Sequence, residues 1–396
     1  MKICGIICEY NPFHNGHAFQ IRRTRELLGD DTFIVCLMSG HFVQRGDAAL
    51  YHKSIRAKAA VLEGADLVLE LPTPYSLSSA EGFASASVDI LSRFGCTHLS
   101  FGAEEEDLDS LWEIASLLLE KSVMDDTLAH MTEGISYAAA RERAIFSRLK
   151  ERSELLKKPN NILAIEYLKA IISQESPMLP VAVKRLGAGH DSCEIKDGTA
   201  SATHIRQCLT SGLSSVLDDL VPERAAQLFK GAAMHSVSFN PSLVMSSLIR
   251  LSPEDFTEYA DVSEGLEHRL FAAVNSSFSL DEVCEKARSK RYPYARIRRI
   301  GMNVFLGIKK TDVPLKPPYV KVLAFNDNGR KVLSLSRKNE DIAVITKPAK
   351  AHDLGCKAQS LVTLEQRAGR LWHMLGNSPF TSEFVSPVYV KNENEQ

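Results

Sequence analysis

Two histidines separated by Asn15 and Gly16 carry the clearest chemical signal in the sequence. His14 and His17 follow an apolar run at residues 3–8 and precede a helix-like pattern. Backbone N–H groups at a helix start, together with the helix dipole, attract phosphate, and a glycine lets the backbone approach a ligand closely. Imidazoles three residues apart lie on one side of the first turn, where they can donate to phosphate oxygens and stabilise developing charge. The H-x-G-H pattern therefore predicts transfer chemistry at a nucleotide phosphate.

The elements around this motif predict an α/β fold with a Rossmann-like parallel sheet. Apolar runs indicate strands at 3–8, 33–38, 66–71, 98–101 and 180–186, and helical patterns lie at 17–28, 53–63, 107–158 and 161–172. Strands separated by helices imply right-handed crossovers and parallel pairing. A further helix is predicted to begin near Ser201 or Thr203, either of which can cap it.

The character of the chain changes near residue 235, where we expect a domain boundary. Residues 1–235 then form the sheet domain, and residues 236–396 form a mostly helical C-terminal domain with a small β element. Residues 317–350 alternate polar and apolar side chains around the turn signal Asn326-Asp327-Asn328-Gly329, which predicts a β-hairpin.

Residues 286–310 contain nine Lys or Arg and no Asp or Glu, with Tyr292 and Tyr294 interleaved. Basic side chains supply sequence-independent affinity for phosphate backbones, and tyrosines stack on unpaired bases. The segment predicts RNA contacts from Lys290, Arg291, Arg296, Arg298 and Arg299. A basic helix that packs on its apolar side explains the same pattern without RNA, and binding to a membrane surface is a lesser alternative.

Composition and missing motifs argue against several classes of protein. A formal net charge of −2 excludes non-specific coating of nucleic acid by overall charge. No run of about 18 apolar residues is present, so no membrane span is predicted. The eight cysteines form no C-x-x-C pair, so we expect reduced thiols in the cytoplasm and no metal cluster. The chain also lacks the motifs of P-loop NTPases, zinc proteases, α/β-hydrolases and dinucleotide-dependent dehydrogenases.

The arrangement of strand, H-x-G-H and helix resembles the HIGH-type nucleotidyltransferases. Five longer strings are similar to the bacterial tRNA(Met) cytidine acetate ligase family: EYNPFHNGH, MSGHFVQRGDAAL, GADLVLELP, SFGAEE and PNNILAIEYLKA. The resemblance is dense over residues 1–210 and looser beyond them. Members of this family use ATP to activate acetate as acetyl-adenylate. They then acetylate N4 of the wobble cytidine of elongator tRNA(Met).

The resemblance implies an ATP-dependent ligase that releases AMP and pyrophosphate, with Mg²⁺ accompanying the triphosphate. It further implies acetate and the anticodon arm of tRNA as partners, and His14 and His17 as catalytic residues on the phosphates. The implied ATP-binding residues are Ile7, Cys8, Glu9, Tyr10, Asn11, Pro12, Phe13, His14, Asn15, Gly16, His17, Ala18, Phe19, Gln20, Gly102, Asn160, Asn161, Arg185, Ser201, Thr203 and Arg206.

Two other functions stay open at this point. One is a small-molecule adenylyltransferase of the HIGH superfamily, and the other is a nucleotide-sensing RNA-binding protein without turnover. The basic segment at 286–310 favours the RNA-dependent alternatives, whereas the H-x-G-H motif favours the enzymes.

Overall fold

A mostly parallel sheet forms the centre of the molecule. The computed structural model describes residues 1–104, 107–185, 200–263, 265–336, 341–376, 378–385 and 387–391. The strands are β1 Ile3–Cys8, β2 Phe33–Ser39, β3 Phe42–Val43, β4 Asp47–Ala48, β5 Leu67–Leu71, β6 His98–Ala103, β7 Leu179–Lys184, β8 Tyr319–Phe325, β9 Ala343–Ile345 and β10 Tyr389–Val390. Among the described residues, the large sheet has the order β10-β8-β5-β2-β1-β6-β7, with β9 beside β8, and β3 pairs separately with β4.

Helices cover both faces of this sheet and form most of the rest of the chain. They are α1 Asn15–Leu28, α2 Lys53–Leu62, α3 Thr73–Ser76, α4 Ala80–Phe94, α5 Leu108–Leu117, α6 Lys121–Met131, α7 Tyr137–Leu149, α8 Pro159–Ser173, α9 Ala202–Thr210, α10 Val216–Leu220, α11 Glu223–Lys230, α12 Pro241–Leu248, α13 Pro253–Phe256, α14 Leu266–Val274, α15 Leu280–Ala287, α16 Tyr294–Leu306, α17 Asp327–Ser336 and α18 Cys356–Leu375. Short 3₁₀ helices lie at Lys150–Lys157, Val237–Phe239, Lys310–Asp312 and Pro348–Leu354.

The predicted α/β class with a Rossmann-like parallel sheet is confirmed. β1 pairs in parallel with β2, from Ile3 opposite Phe33 to Cys8 opposite Met38, and also with β6. Successive side chains of β1 enter different cores, because Ile3 packs in one apolar cluster and Cys4 in another. A strand covered on both faces in this way explains the continuous apolar run in the sequence. Residue 186, at the end of the predicted strand 180–186, lies outside the described residues.

The hairpin predicted over 317–350 is wrong. β8 ends at Phe325, and α17 follows where a hairpin requires a second strand. Asn326 Oδ1 accepts a hydrogen bond from the Gly329 amide at 2.9 Å, so the turn signal begins a helix instead. Val332 and Leu333 are buried at helical spacing from Gly329. β8 pairs antiparallel with β5, a partner too distant in sequence for a local pattern to indicate.

The region beyond residue 235 is mostly helical, and α12 and α14 to α16 share an apolar cluster with α18. Two strands of the large sheet, β8 and β10, also come from beyond that position. We call residues 1–235 the first region and the helices beyond residue 235 the helical region. The chain therefore returns to the sheet of the first region after it has formed the helical region. The functional division into an ATP-binding part, 1–235, and a tRNA-binding part, 236–396, stays a prediction.

Trp372 on α18 connects the helical region to the first region. Its ring lies between those of His41 and His235, with centroids 4.6 and 3.5 Å away. His52 and His373 lie beside it, and we call these four the junction histidines: His41, His52, His235 and His373. Burial is the main cause that lowers the pKa of each, to about 3 for His52 and about 4 for His235. These rings are therefore neutral near pH 7.

Seven cysteines lie within the described residues and are free thiols, whereas Cys193 lies outside them. Within the same residues, no helix combines the length and the apolar character that crossing a membrane requires.

Candidate active site

A cavity of about 970 Å³ opens at the carboxyl ends of β1, β6 and β7. Residues 7–11 line it where β1 ends, Gly102 lines it near the end of β6, and Arg185 follows β7. Apolar walls come from Phe83, Phe101 and Tyr167. In open α/β sheets this edge is where ligands bind, and pockets of about 300–1,000 Å³ accommodate small molecules and cofactors.

His14 and His17 form the first turn of α1 at the edge of this cavity. His14 is the N-cap, and its Nδ1 accepts a hydrogen bond from the Gly16 amide at 3.1 Å. His17 Nδ1 accepts from the His14 amide at 3.2 Å, and the two rings stack with centroids 3.7 Å apart. Because each Nδ1 is an acceptor, a neutral ring carries its proton on Nε2 and can donate it.

The electrostatic environment keeps His17 neutral. Burial, followed by the nearby His14 and Arg185, holds the pKa of His17 well below its usual range. The ring also packs against Tyr10 and Phe13, with centroids 4.8 and 5.6 Å away. A neutral imidazole at a helix N-terminus can donate a hydrogen bond to an anion, and the helix dipole adds to the attraction.

One side of the cavity is built from β6, β7 and the start of α8. Arg185 Nη1 donates to Asn160 Oδ1 at 3.1 Å. Glu104 accepts from the Asn160 side chain at 2.5 Å and from the Asn161 amide at 2.9 Å, so it holds the start of α8 against the end of β6. A Cβ at Gly102 would lie 3.2 Å from Arg185 Cγ, so a side chain there would crowd the arginine.

The segment Ser201–Arg206 reaches the same cavity from the start of α9. Ser201 is the N-cap, because its hydroxyl accepts from the His204 amide at 3.1 Å. Arg206 Nη1 donates to the Asn11 carbonyl oxygen at 2.8 Å, and its Nη2 donates to the Thr203 hydroxyl at 3.1 Å. These contacts hold a guanidinium and a helix start next to the turn that follows β1, a combination suited to phosphate oxygens.

The opposite side of the cavity joins the β3–β4 hairpin to the helical region. Glu9 Oε1 accepts from the Gln44 amide at 2.9 Å, which fixes the hairpin against the end of β1. Arg298 on α16 places Nη2 3.3 Å from Asp47 Oδ1, and its Nη1 contacts Asp281 on α15. The sequence prediction placed Arg298 on an RNA-binding surface, and the structure places it in the cavity wall.

The remaining residues of the predicted basic surface lie in different surroundings. Lys290 is exposed, and Arg291 is half-buried. Arg296 donates to the Asp261 carbonyl oxygen at 2.6 and 2.9 Å. Arg299 also lines the cavity, 3.5 Å from an Asp261 carboxylate oxygen. Tyr292 is buried, so the expectation that its ring is available for base stacking is wrong.

Most of the predicted ATP-binding residues line one cavity. These are Ile7, Cys8, Glu9, Tyr10, Asn11, His14, Gly16, His17, Phe19, Gln20, Gly102, Asn160, Arg185, Ser201, Thr203 and Arg206. Five predicted residues do not line it: Pro12, Phe13, Asn15, Ala18 and Asn161. Glu104 was not predicted from sequence, although it stands in the string SFGAEE. Asp47 and Asp281 were not predicted either, because their contacts with Arg298 are formed only in the folded chain.

The chain is similar to known proteins over nearly its whole length. The family model described as HIGH Nucleotidyl Transferase matches residues 1–384. A protein of Alkaliphilus metalliredigens named tRNA(Met) cytidine acetate ligase is 36% identical over 99% of each chain. One of the same name from Clostridium kluyveri is 37% identical over 98% of this chain and 99% of its own.

Solved structures show the same architecture. The crystal structure of apo Thermotoga maritima TmcAL has a TM-score of 0.94 and 27% identity, and it covers 99% of this chain and 100% of its own. The same protein bound with alpha-thio ATP has a TM-score of 0.90 with equal identity and coverage.

Proposed function

The chain belongs to the HIGH nucleotidyl transferase family and to the tRNA(Met) cytidine acetate ligases within it; from this premise we propose that it joins acetate to N4 of the wobble cytidine of elongator tRNA(Met) at the expense of ATP. The observation that carries the proposal is the stacked pair His14 and His17 at the N-terminus of α1, inside a cavity that also holds Arg185 and Arg206.

In the first step, a carboxylate oxygen of acetate attacks the α-phosphorus of ATP. The new P–O bond gives acetyl-adenylate, and the bond to the bridging oxygen breaks so that pyrophosphate leaves. Charge grows on the phosphoryl oxygens in the transition state. The Nε2–H groups of His14 and His17 and the N-terminus of α1 are suited to stabilise it, a contribution of the oxyanion-hole type.

The rest of the nucleotide has complementary groups in the cavity. Arg206 and the capped start of α9 are suited to the outer phosphates, because a guanidinium and backbone N–H groups both donate to phosphate. The wall formed by Gly102, Asn160 and Arg185 is suited to the adenosine, since ligands of open α/β sheets lie across the strand ends. Within the described residues, no group of three acidic, histidine or cysteine side chains is arranged to hold a metal ion. We propose Mg²⁺ as part of the MgATP substrate, since this ion is usually bound through substrate phosphates and not by an all-protein cage.

In the second step, N4 of the cytidine attacks the carbonyl carbon of acetyl-adenylate. The C–N bond forms, the bond from that carbon to the phosphate oxygen breaks, AMP leaves, and the nitrogen loses one proton. Hydrophobic walls from Phe83, Phe101 and Tyr167 help to exclude water, which would otherwise hydrolyse the mixed anhydride. The reaction is proposed for the cytoplasm, where ATP and tRNA are both available.

The test is incubation with ATP, labelled acetate and total tRNA, followed by nucleoside analysis. We expect N4-acetylcytidine confined to elongator tRNA(Met), and acetate-dependent exchange of pyrophosphate into ATP. Exchange that depends on a phosphorylated metabolite instead of acetate would identify a small-molecule adenylyltransferase. ATP binding without any release of AMP would identify a nucleotide-sensing RNA-binding protein.

A further inference from the structure

One wall of the cavity, formed by the β3–β4 hairpin and α16, contains side chains that the proposed ATP contacts do not use. There Asp47 on the β3–β4 hairpin meets Arg298 on α16, with Oδ1 and Nη2 3.3 Å apart. Both side chains line the cavity. Within the described residues, no hydrogen bond or ion pair involves Asp47 Oδ2. The pair therefore presents an acceptor oxygen beside a guanidinium, which also contacts Asp281 through Nη1, inside a site that must admit a second substrate.

The local structure fixes both partners before any ligand arrives. Asp47 Oδ1 accepts from the Ala48 amide at 2.8 Å, and the Arg298 side chain is only 11% exposed. A Cβ at Gly46 would lie 2.8 Å from the Arg299 amide nitrogen, so the hairpin packs directly on the backbone of α16. Gly46 also has φ +76, a left-handed conformation that favours glycine. Rigid support of this kind is what a specificity site requires.

We propose that Asp47 and Arg298 read the Watson–Crick edge of the wobble cytidine, an inference that rests on the function proposed above. Cytosine presents a donor at N4 and acceptors at N3 and O2. A carboxylate accepts from the N4 amine, and a guanidinium donates to the two acceptors. Uracil presents O4 and N3–H instead, so it would set an acceptor against the carboxylate and a donor against the guanidinium.

The placement suits the second step as well as recognition. Asp47 and Arg206 line the same cavity, and the charge of Asp47 opposes the lowering of the Arg206 pKa by burial. An N4 amine that donates to Asp47 lies in the same cavity as the acyl phosphate proposed at His14 and His17, with a carboxylate available for the proton that it loses. Arg298, expected from sequence to contact the RNA backbone, becomes a contact to a base.

A purely structural role is the competing explanation, because the same ion pair ties the hairpin to α16. The two explanations differ in one measurable quantity. A structural tie affects all RNA ligands equally, whereas base reading affects the ratio of affinities for cytidine and uridine.

The first experiment uses the wild-type protein and needs no variant. Binding is measured for anticodon stem-loops of elongator tRNA(Met) that carry cytidine, uridine or a pyrimidin-2-one nucleoside at the wobble position. We expect cytidine to bind about 10- to 100-fold more tightly than uridine, since a good pairing to a base edge discriminates by this order. The affinity for the pyrimidin-2-one stem-loop, whose base lacks the 4-substituent, should lie between the affinities for cytidine and uridine. Equal affinities for cytidine and uridine would overturn the inference.

The second experiment compares Asp47→Asn with Asp261→Asn. In Asp47→Asn, the side-chain amide keeps its oxygen on the Ala48 N–H and turns its NH₂ toward the base, where it opposes the N4 amine and suits O4 of uracil. The preference for cytidine should fall below about threefold or invert. Asp261→Asn removes a carboxylate charge that pairs with the neighbouring Arg299, and it should leave the preference for cytidine over uridine intact. An unchanged preference in Asp47→Asn would overturn the inference.

Acetate-dependent pyrophosphate exchange by the wild-type protein separates this inference from the proposed function. Its absence would remove the proposed function. Exchange together with equal binding of cytidine and uridine would remove only the role of Asp47 and Arg298.

Discussion

Replacing His17 by alanine and by glutamine separates the two contributions of its ring. Nδ1 accepts from the His14 amide and completes the cap of α1, whereas Nε2–H is available for a phosphoryl oxygen. Alanine removes both. Glutamine at this third helical position can still accept from the N-cap amide, and it also brings an N–H donor. Both substitutions lose the stacking of the ring on His14, so that loss cancels in the comparison.

The magnitudes follow from the two contributions. Loss of a capping acceptor costs about 1 kcal/mol of the free energy of unfolding, measured by urea denaturation. Loss of one donor to a transition-state oxyanion lowers the rate by about 100- to 1,000-fold. We expect His17→Ala to show both effects in stability and in acetate-dependent pyrophosphate exchange. His17→Gln should recover the stability and a substantial part of the rate.

Three results would refute this reasoning. Exchange within about tenfold of wild type in folded His17→Ala would mean that no transition-state donor was lost. Equal rates in the two variants would mean that the N–H donor is not what His17 supplies. The third result would come from the pH dependence. Because the pKa of His17 is held well below its usual range, protonation of His17 should not alter the wild-type rate between pH 8 and 6. A titration near the ordinary histidine value that disappears in His17→Ala would contradict a neutral ring.

Three further predictions concern Glu104, the basic surface and the junction histidines. Glu104→Gln should raise KM for ATP about tenfold with little change in kcat, because it loosens Asn160 and Arg185 without touching the reacting phosphate; steady-state exchange kinetics measure both constants. Replacing Lys290 and Arg291 together by alanine should weaken the salt dependence of tRNA binding. The slope of the logarithm of the binding constant against the logarithm of salt concentration should fall in magnitude by up to about two, measured by titration at several salt concentrations. The free energy of unfolding should fall on acidification below about pH 6.5, by up to about 1.4 kcal/mol per pH unit for each junction histidine. The folded pKa values are depressed, so the unfolded chain binds more protons there; urea unfolding at pH 7 and pH 5 measures the difference.

The parts of the fold that sequence predicted were those governed by local patterns. The buried strands appear as continuous apolar runs because both of their faces are covered, as with Ile3 and Cys4. The H-x-G-H motif is contiguous, so its position between the first strand and the first helix follows from sequence alone, whereas the cap formed by His14 was not predicted. The β8 strand pairs with a segment about 250 residues earlier, and the alternation near it looks like a local hairpin.

The candidate site divides in the same way. The residues around His14 were predicted because one short segment supplies them. Glu104 acts through contacts with Asn160 and Asn161, more than 50 residues away, and no local pattern marks such a partner. The basic segment was informative in composition but not in orientation. Whether an arginine such as Arg298 faces solvent or the cavity depends on which side of α16 packs on the hairpin.

The two proposed steps require the first region and the helical region to keep a fixed relative position around the cavity. The reason is that the second substrate must reach the acyl phosphate before water does. A buried ion network ties the C-terminal segment, which follows the last helix of the helical region, to the sheet. Lys53 on α2 lies 2.5 Å from Glu70 on β5 and 2.8 Å from Glu383 in the C-terminal segment. Lys321 on β8 lies 2.6 Å from the same Glu383. Burial raises the pKa of Glu383, but the two lysines outweigh it and lower the pKa to about 2. Removing one member of such a buried network leaves an uncompensated charge, which costs about 3–5 kcal/mol, so few alternative arrangements of the two regions are accessible. Arg298 and Asp47 lie at a separate contact between these regions, where Gly46 packs against the backbone of Arg299.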